Sequence, residues 1–171
     1  MTKPKSEAAL AVHQAAHAVL AFLFEIGLRE IALDKPCDRH LCGLGLEWLD
    51  DDAISRGHRP AFDDWDRVRA EIVVVLAGSI AEELSGAEPN AESAVYDQQG
   101  AASLAWLVCH SDDEFDAMSS WVRIHARWHV AAGRESISAV AEALTRRGRL
   151  NRKELETVVL TALAGGRREP F

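Results

Sequence analysis

Two histidines four residues apart are the side chains of this sequence best placed to do chemistry. They lie in the segment His13-Gln14-Ala15-Ala16-His17, and residues i and i+4 share one face of a helix. Two imidazoles on one face can bind a single ion, as in the zinc motif H-E-x-x-H, where the glutamate is the general base. Gln14 stands at the glutamate position. The sequence therefore predicts a Zn²⁺ site that lacks the group performing hydrolysis.

Gln14 decides how much catalysis such a site could support. Its amide can hold a water molecule by hydrogen bonds, but it cannot accept the proton that attack by water releases. General base catalysis contributes about 10²–10⁴-fold to rate, so the site should be nearly silent. Gln14 can have two origins. One is its introduction in place of a glutamate, which we favour because the rest of the pattern is complete. Alternatively, the protein is a natural pseudopeptidase that binds peptides without cleaving them.

The sequence pattern predicts a mainly α (α+β) fold with a small two- or three-stranded sheet in a single domain, residues 1–171. Alternating residues over 29–34 and again over 43–48 indicate two strands. The ends, 1–6 and 165–171, are expected to be flexible tails. Apolar periodicity and capping residues predict six helices, over residues 6–26, 63–85, 92–109, 111–132, 136–147 and 151–164.

Composition and charge limit the partners. A net charge of -8, from 27 acidic and 19 basic residues, argues against nucleic acid, because nucleic-acid binders carry a basic footprint. No segment is apolar enough for a membrane span. Three cysteines without a signal peptide favour a reducing compartment, so a cytoplasmic location is expected.

A zinc site needs at least one further protein ligand, and several acidic residues are eligible. At this point the sequence resembles the zinc peptidase domain of FtsH-type ATP-dependent membrane proteases over residues 8–160. Four segments carry the resemblance, in the order that the family has them: His13 to Ala18 against H-E-A-G-H-A, Leu76 to Glu83 against L-x-G-R-x-A-E-E, Ser93 to Ala101 against G-A-x-x-D-x-x-x-A, and Leu150 to Glu154 against L-x-x-x-E.

The resemblance implies a zincin-like helical domain that hydrolyses peptide bonds in its active form. It implies His13, His17 and Asp97 as zinc ligands with a water at the open position. It also implies a strand edge along which a peptide or protein substrate could pair by main-chain hydrogen bonds. The residues of that edge are Gly43, Leu44, Gly45 and Leu46.

The ATPase module and the membrane helices of the family are absent from this sequence. The chain would then act on flexible peptides or on a specific partner, or it would need a separate unfoldase or regulatory protein. The family's peptidase domains pack in rings. The resemblance therefore leaves open whether this chain forms a homo-oligomer, in which the five tryptophans are candidate contacts.

Metal-binding imidazoles usually donate their second nitrogen's proton to another group. Glu82 and Glu83 could each play this part, although a solvated helix face is the commoner role for either alone.

Two other groups of potential ligands are weighed and set aside. His125 and His129 are also four apart, but Arg127 between them would repel a cation, so an ordinary helix face is preferred. Cys37, His40 and Cys42 lie in one tight loop, whereas structural zinc sites usually have four ligands in separated pairs, and Cys109 is the only other cysteine in the sequence. A loop with free thiols is the preferred interpretation, and adventitious metal binding there is the alternative.

Overall fold

The protein is mainly helical with a small sheet, as the sequence predicted. The computed structural model describes residues 7–34, 65–86 and 91–165. In chain order its elements are α1 (Glu7–Leu23), β1 (Glu30–Ala32), α2 (Trp65–Ser85), α3 (Ala91–Val108), α4 (Asp112–Ala132), α5 (Arg134–Arg147), β2 (Arg149–Asn151) and α6 (Arg152–Gly165). None of these helices is long and apolar enough to cross a membrane.

Helices α1 and α2 form the centre of the core. Helix α1 packs between α2 and α5, and α2 also contacts α3 and α4. Both are apolar on more than one face, which is the pattern of a helix surrounded by other elements. Val19, Leu20, Ile72 and Val74 are completely buried where they meet. Any polar side chain in the middle of α1 is therefore held inside the protein, and its direction is fixed by packing.

Helix α1 ends three residues earlier than its apolar pattern predicts, at Leu23 rather than at residue 26. The amide of Ile26 donates to the carbonyl of Ala21, and the amide of Glu25 donates to Phe22, which is the bonding of a Schellman motif. Glu25 occupies its left-handed position with φ 57°. A residue other than glycine at this position gives no composition signal, so the sequence pattern missed the helix end.

The sheet pairs β1 with β2 antiparallel, with Ile31 opposite Leu150. The sequence predicted residues 43–48 as the partner of the first strand, and that segment lies outside the described residues. Strand β2 is three residues long between two helices, too short for alternation to reveal. It exists because Gly148, with φ 75°, ends α5 in the left-handed conformation and turns the chain so that Leu150 becomes buried beside β1.

Two helix starts follow the predicted capping pattern. The amide of Glu114 donates to the hydroxyl of Ser111 at the start of α4. At α6 the bonds are reciprocal, because the Glu154 amide donates to Asn151 Oδ1 while the Asn151 amide donates to the Glu154 carboxylate. The second pair is a complete capping box, and it confirms the predicted helix start at Asn151.

Candidate metal centre

The two histidines of α1 face each other inside the core. His13 is 3% exposed and His17 is 4% exposed, and their rings meet edge to face with centroids 4.7 Å apart. Their Nε2 atoms are separated by 3.0 Å. The spacing of four residues places both imidazoles on one face, and the burial of α1 points that face at α2 and α3.

Asp97 of α3 completes the group. Its Oδ1 atom lies 3.7 Å from His17 Nε2 and 3.9 Å from His13 Nε2, and the side chain is almost buried. These three residues form a cluster that could hold a metal ion. Residues 80 positions apart in the sequence therefore meet at one point, as the resemblance implied.

The main chain of α2 binds the atoms of His17 and Asp97 that point away from the cluster. His17 Nδ1 donates to the carbonyl of Val74 at 2.7 Å, because a carbonyl oxygen can only accept. The neutral imidazole then carries a lone pair on Nε2, which faces the cluster. The amide of Ser79 donates to Asp97 Oδ2 at 3.0 Å, so the other carboxylate oxygen is the one directed at the histidines.

His13 is oriented by a buried acid. Its Nδ1 atom lies 3.0 Å from Oε1 of Glu82, within hydrogen-bonding distance although outside the usual angle. Glu82 has 0% exposure, and a buried carboxylate is costly unless hydrogen bonds or charge compensate it. A proton on His13 Nδ1 places a positive dipole 3.0 Å from Glu82 Oε1 and contributes to that compensation. The alternative tautomer would put a lone pair against the carboxylate, which is unfavourable.

This choice of tautomers leaves three electron-pair donors converging on one point. With both Nδ1 atoms protonated, the two Nε2 atoms and Asp97 Oδ1 present lone pairs to each other. Such a group is repulsive by itself and favourable around a cation. A point equidistant from all three atoms lies about 2.1 Å from each, because this is the circumradius of a triangle with sides of 3.0, 3.7 and 3.9 Å. That distance is in the range of metal bonds to imidazole and carboxylate, so the residues fit a metal ion.

Gly78 is a residue of the site that the sequence reasoning quoted only as part of a motif. A Cβ atom there would lie 2.4 Å from His17 Nε2 and 2.6 Å from His13 Nε2, closer than atoms can approach. The absence of a side chain lets the backbone of α2 lie against both imidazoles. The sequence did contain a signal for this role of Gly78. A glycine inside a helix lowers helix stability by about 1 kcal/mol relative to alanine, so its presence usually has a packing reason.

The other residues predicted for the site, Gln14, Glu82 and Glu83, differ in burial and in their contacts. Gln14 is buried beside His13, 3% exposed. Glu83 is not brought to the cluster, because its carboxylate pairs with Arg123 at 3.1 Å and Arg127 at 3.2 Å on α4. Glu83 therefore lies on a solvated helix face, the role that the sequence analysis gave as the commoner one. Glu82 instead is buried in the protein core.

Other segments discussed for binding stay apart from the centre. The predicted strand edge Gly43 to Leu46 and the Cys37–Cys42 loop lie outside the described residues. His125 and His129 have ring centroids 6.3 Å apart. Burial, and secondarily the charge of His125, lowers the pKa of His129 below its ordinary value. That pair does not join the described metal cluster.

No model of a known protein family matches this chain, and no curated protein matches it either. The site's chemistry therefore carries the functional argument. Its elements are two imidazoles and one carboxylate.

Proposed function

We propose that this chain is a zinc-binding domain of the H-E-x-x-H peptidase type, with Gln14 at the position of the general base. The ligands are His13, His17 and Asp97. The observation that carries the proposal is the convergence of His13 Nε2, His17 Nε2 and Asp97 Oδ1 within 3.0–3.9 Å of one another. Hydrogen bonds to α2 hold His17 and Asp97 on their far sides, and His13 Nδ1 lies 3.0 Å from the carboxylate of Glu82. Metal sites depend on such outer bonds, which fix the ligand tautomers and orientations.

Zinc is the metal that we propose for this donor set. Two imidazoles and one carboxylate match the ligand set of hydrolytic zinc sites, which keep a fourth position for water, whereas structural zinc sites have four protein ligands. The resemblance to FtsH-type peptidase domains supports the same choice. Three of the segments that carry it supply the site: residues 13–18 give the histidines, residues 76–83 give Gly78 and Glu82, and residues 93–101 give Asp97.

Gln14 sets the expected activity. A bound zinc ion would polarise a peptide carbonyl and make its water more acidic. The Gln14 amide can accept a hydrogen bond from that water and donate one to a substrate, but it cannot take the proton away. The chain with Gln14 should therefore bind zinc and peptide while hydrolysing very slowly. Exchange of Gln14 for glutamate should raise peptide cleavage by about 10²-fold or more.

The alternative is a binding module of the pseudopeptidase kind, and Gln14 itself is the observation that favours it. Such a module would use the zinc site and its surroundings to hold a peptide or partner protein without cutting it. The two functions differ in what Gln14→Glu does, because only the peptidase has chemistry to restore.

The test is cleavage of quenched fluorescent peptides, with zinc supplied, by four proteins: the chain itself, Gln14→Glu, Asp97→Asn, and the double variant. Unstructured peptides remove the need for an unfoldase. We expect chelator-sensitive cleavage by Gln14→Glu alone, with the double variant as the control for a contaminating protease. If Gln14→Glu binds one zinc ion per chain and cleaves nothing, the peptidase proposal fails, and peptide binding measured by fluorescence anisotropy tests the module. Failure of the unaltered chain to bind zinc rejects both.

A further inference from the structure

Helix α4 carries a second apolar face that remains exposed in the described part of the protein. Its inner face is buried through Val122, Ala126 and Val130. On the outer face Trp121 is 43% exposed, Ile124 is 69% exposed and Trp128 is 64% exposed. Two exposed alanines extend this outer stripe. Its members are Ala117, Trp121, Ile124, Trp128 and Ala131.

The spacing of the outer stripe is that of a coiled-coil seam. Its steps of four, three, four and three residues repeat with the seven-residue period that lets one helix pack along another. Charged side chains are kept out of it. Arg123 and Arg127 lie on a different side of α4, where both contact Glu83 of α2. A helix that needed only to face water would not require this separation.

The tryptophan in the first half of the outer stripe is already held in place. The Trp121 ring stacks on His125 with centroids 3.9 Å apart, and the guanidinium of Arg69 lies 5.6 Å from its centroid. An aromatic side chain fixed before binding loses less conformational entropy on association. Exposed, preorganised tryptophans are typical anchors of protein interfaces.

We infer that the outer stripe of α4 binds the outer stripe of a second copy of this chain, with the two helices antiparallel. The charges of α4 select the direction. Its acids, Asp112, Asp113, Glu114 and Asp116, all lie at the N-terminal end. Its arginines and histidines all lie between residues 123 and 129. A parallel pair would oppose acid to acid, whereas an antiparallel pair brings each acidic end towards the basic half of the other helix.

One antiparallel register matches large side chains with small ones. It places Trp128 of the second copy opposite Ala117, and Ile124 of the second copy opposite Trp121. Ala117 lies in a groove of about 490 Å³ that is also lined by Trp65, Arg69, Met118 and Trp121. This groove is large enough for an indole ring. By two-fold symmetry each copy both offers the groove and fills that of its partner.

The area of the outer stripe is consistent with a dimer contact. Its three large side chains expose on the order of 400 Å² in total, taking about 150–250 Å² for a whole side chain. A stable interface buries about 800 Å² on each partner. The stripe thus supplies about half, as the apolar centre, and the groove and the polar flanks of α4 supply the rest.

The test is sedimentation of the full chain from low to high micromolar concentration. We expect a reversible monomer–dimer equilibrium. Ile124→Glu and Trp128→Glu should each raise the dissociation constant by about 100-fold or more, because each would bury a charge at the contact. Leu160→Glu is the matched control, since Leu160 is 56% exposed on α6 and lies outside the outer stripe. It should leave the dimer unchanged. Circular dichroism verifies that each variant is folded.

Orientation is tested separately by Ala117→Cys. In the antiparallel register the two copies of residue 117 are far apart, so oxidation should not join them. A disulfide between the two positions, mapped by mass spectrometry, would show a parallel pair and overturn the orientation. A chain that stays monomeric, or an oligomer that resists both stripe substitutions, would overturn the inference as a whole. The stripe shares no residue with the metal cluster, so these results are independent of the proposed function.

Discussion

Gly78 faces both imidazoles from α2 without a side chain, and it yields the sharpest single-residue prediction. Gly78→Ala should improve helix propensity by about 1 kcal/mol, yet its methyl group would lie 2.4 Å from His17 Nε2. The displaced rings should lose metal affinity, and overpacking should lower the unfolding free energy by about 1–3 kcal/mol. Zinc titration and urea denaturation measure the two effects.

The control for this substitution is Gly165→Ala, where the added methyl group meets nothing within 4 Å. It should leave zinc affinity unchanged. Equal zinc affinity in Gly78→Ala and the unaltered protein would mean that the close approach of α2 does not constrain the imidazoles.

Neighbouring glutamates on α2 offer a matched pair of substitutions. Glu82 lies 3.0 Å from His13 Nδ1, whereas Glu83 contacts two arginines at the surface. Glu82→Gln should weaken zinc binding by about 10–100-fold, because the amide stabilises the oriented imidazole less than a carboxylate does. Glu83→Gln should leave it unchanged. Competition with a chromophoric chelator measures both, and similar losses in the two variants would contradict this role for Glu82.

His129 predicts a dependence of stability on pH. Burial and the nearby His125 lower its pKa in the folded protein from 6.5, so the unfolded chain binds the proton more readily. The unfolding free energy contributed by His129 should therefore be full above about pH 6.5 and should fall as the pH drops from there towards the lowered pKa. His129→Gln should show a shallower loss between pH 7 and pH 5. Denaturation in the presence of chelator checks this, since every other histidine is common to both proteins. Parallel pH curves would rule it out.

At the scale of elements, α1 ends in an unfavourable backbone conformation that a substitution can relieve. Glu25 is held in the left-handed region at φ 57°, which costs about 1 kcal/mol or more for a residue with a side chain and little for glycine. Glu25→Gly should therefore raise the unfolding free energy by about 1 kcal/mol, measured by thermal or urea denaturation. Glu25→Ala removes the same carboxylate but keeps the Cβ atom, so it should give no such gain. Equal effects of the two would assign the change to charge.

The helices were predictable because local signals determine them. Apolar periodicity located the six helices of the described residues, and hydrogen-bonding residues such as Ser111 and Asn151 marked where two of them begin. The end of α1 and the pairing of β1 with β2 were not predictable in the same way. Glu25 adopts a conformation that its own preferences oppose, and the pairing of Ile31 with Leu150 joins segments more than a hundred residues apart.

The residues of the candidate metal centre were predictable from the sequence only where a local signal marks them. His13 and His17 follow from helical spacing alone. Asp97 could be chosen among many acids only through the family resemblance, since nothing local distinguishes it. The Val74 carbonyl and the Ser79 amide had no signal at all, because every residue has these groups and only packing selects which of them meet a ligand.

At the scale of the whole molecule, the metal cluster joins elements that otherwise hardly touch. Helices α1 and α3 each pack extensively against α2 but make few direct contacts with one another. The cluster takes two ligand atoms from α1 and one from α3, and α2 supplies the bonds behind His17 and Asp97. A bound ion would therefore act as a cross-link over α2.

Chelation should accordingly loosen one side of the molecule more than the other. A ligand that binds only the folded state stabilises it by about 4 kcal/mol at a free concentration 1,000 times its dissociation constant, so a chelator should lower the melting temperature of the zinc-loaded protein. His17→Ala should melt at one temperature with or without chelator.

Hydrogen exchange should show the loss of protection on chelation concentrated in α3, which the ion would tie to α1. Helix α5 should keep its protection, because it is anchored by packing on α1 and α6. Uniform loss across α3 and α5 would mean that the ion stabilises the fold globally rather than by joining these two helices.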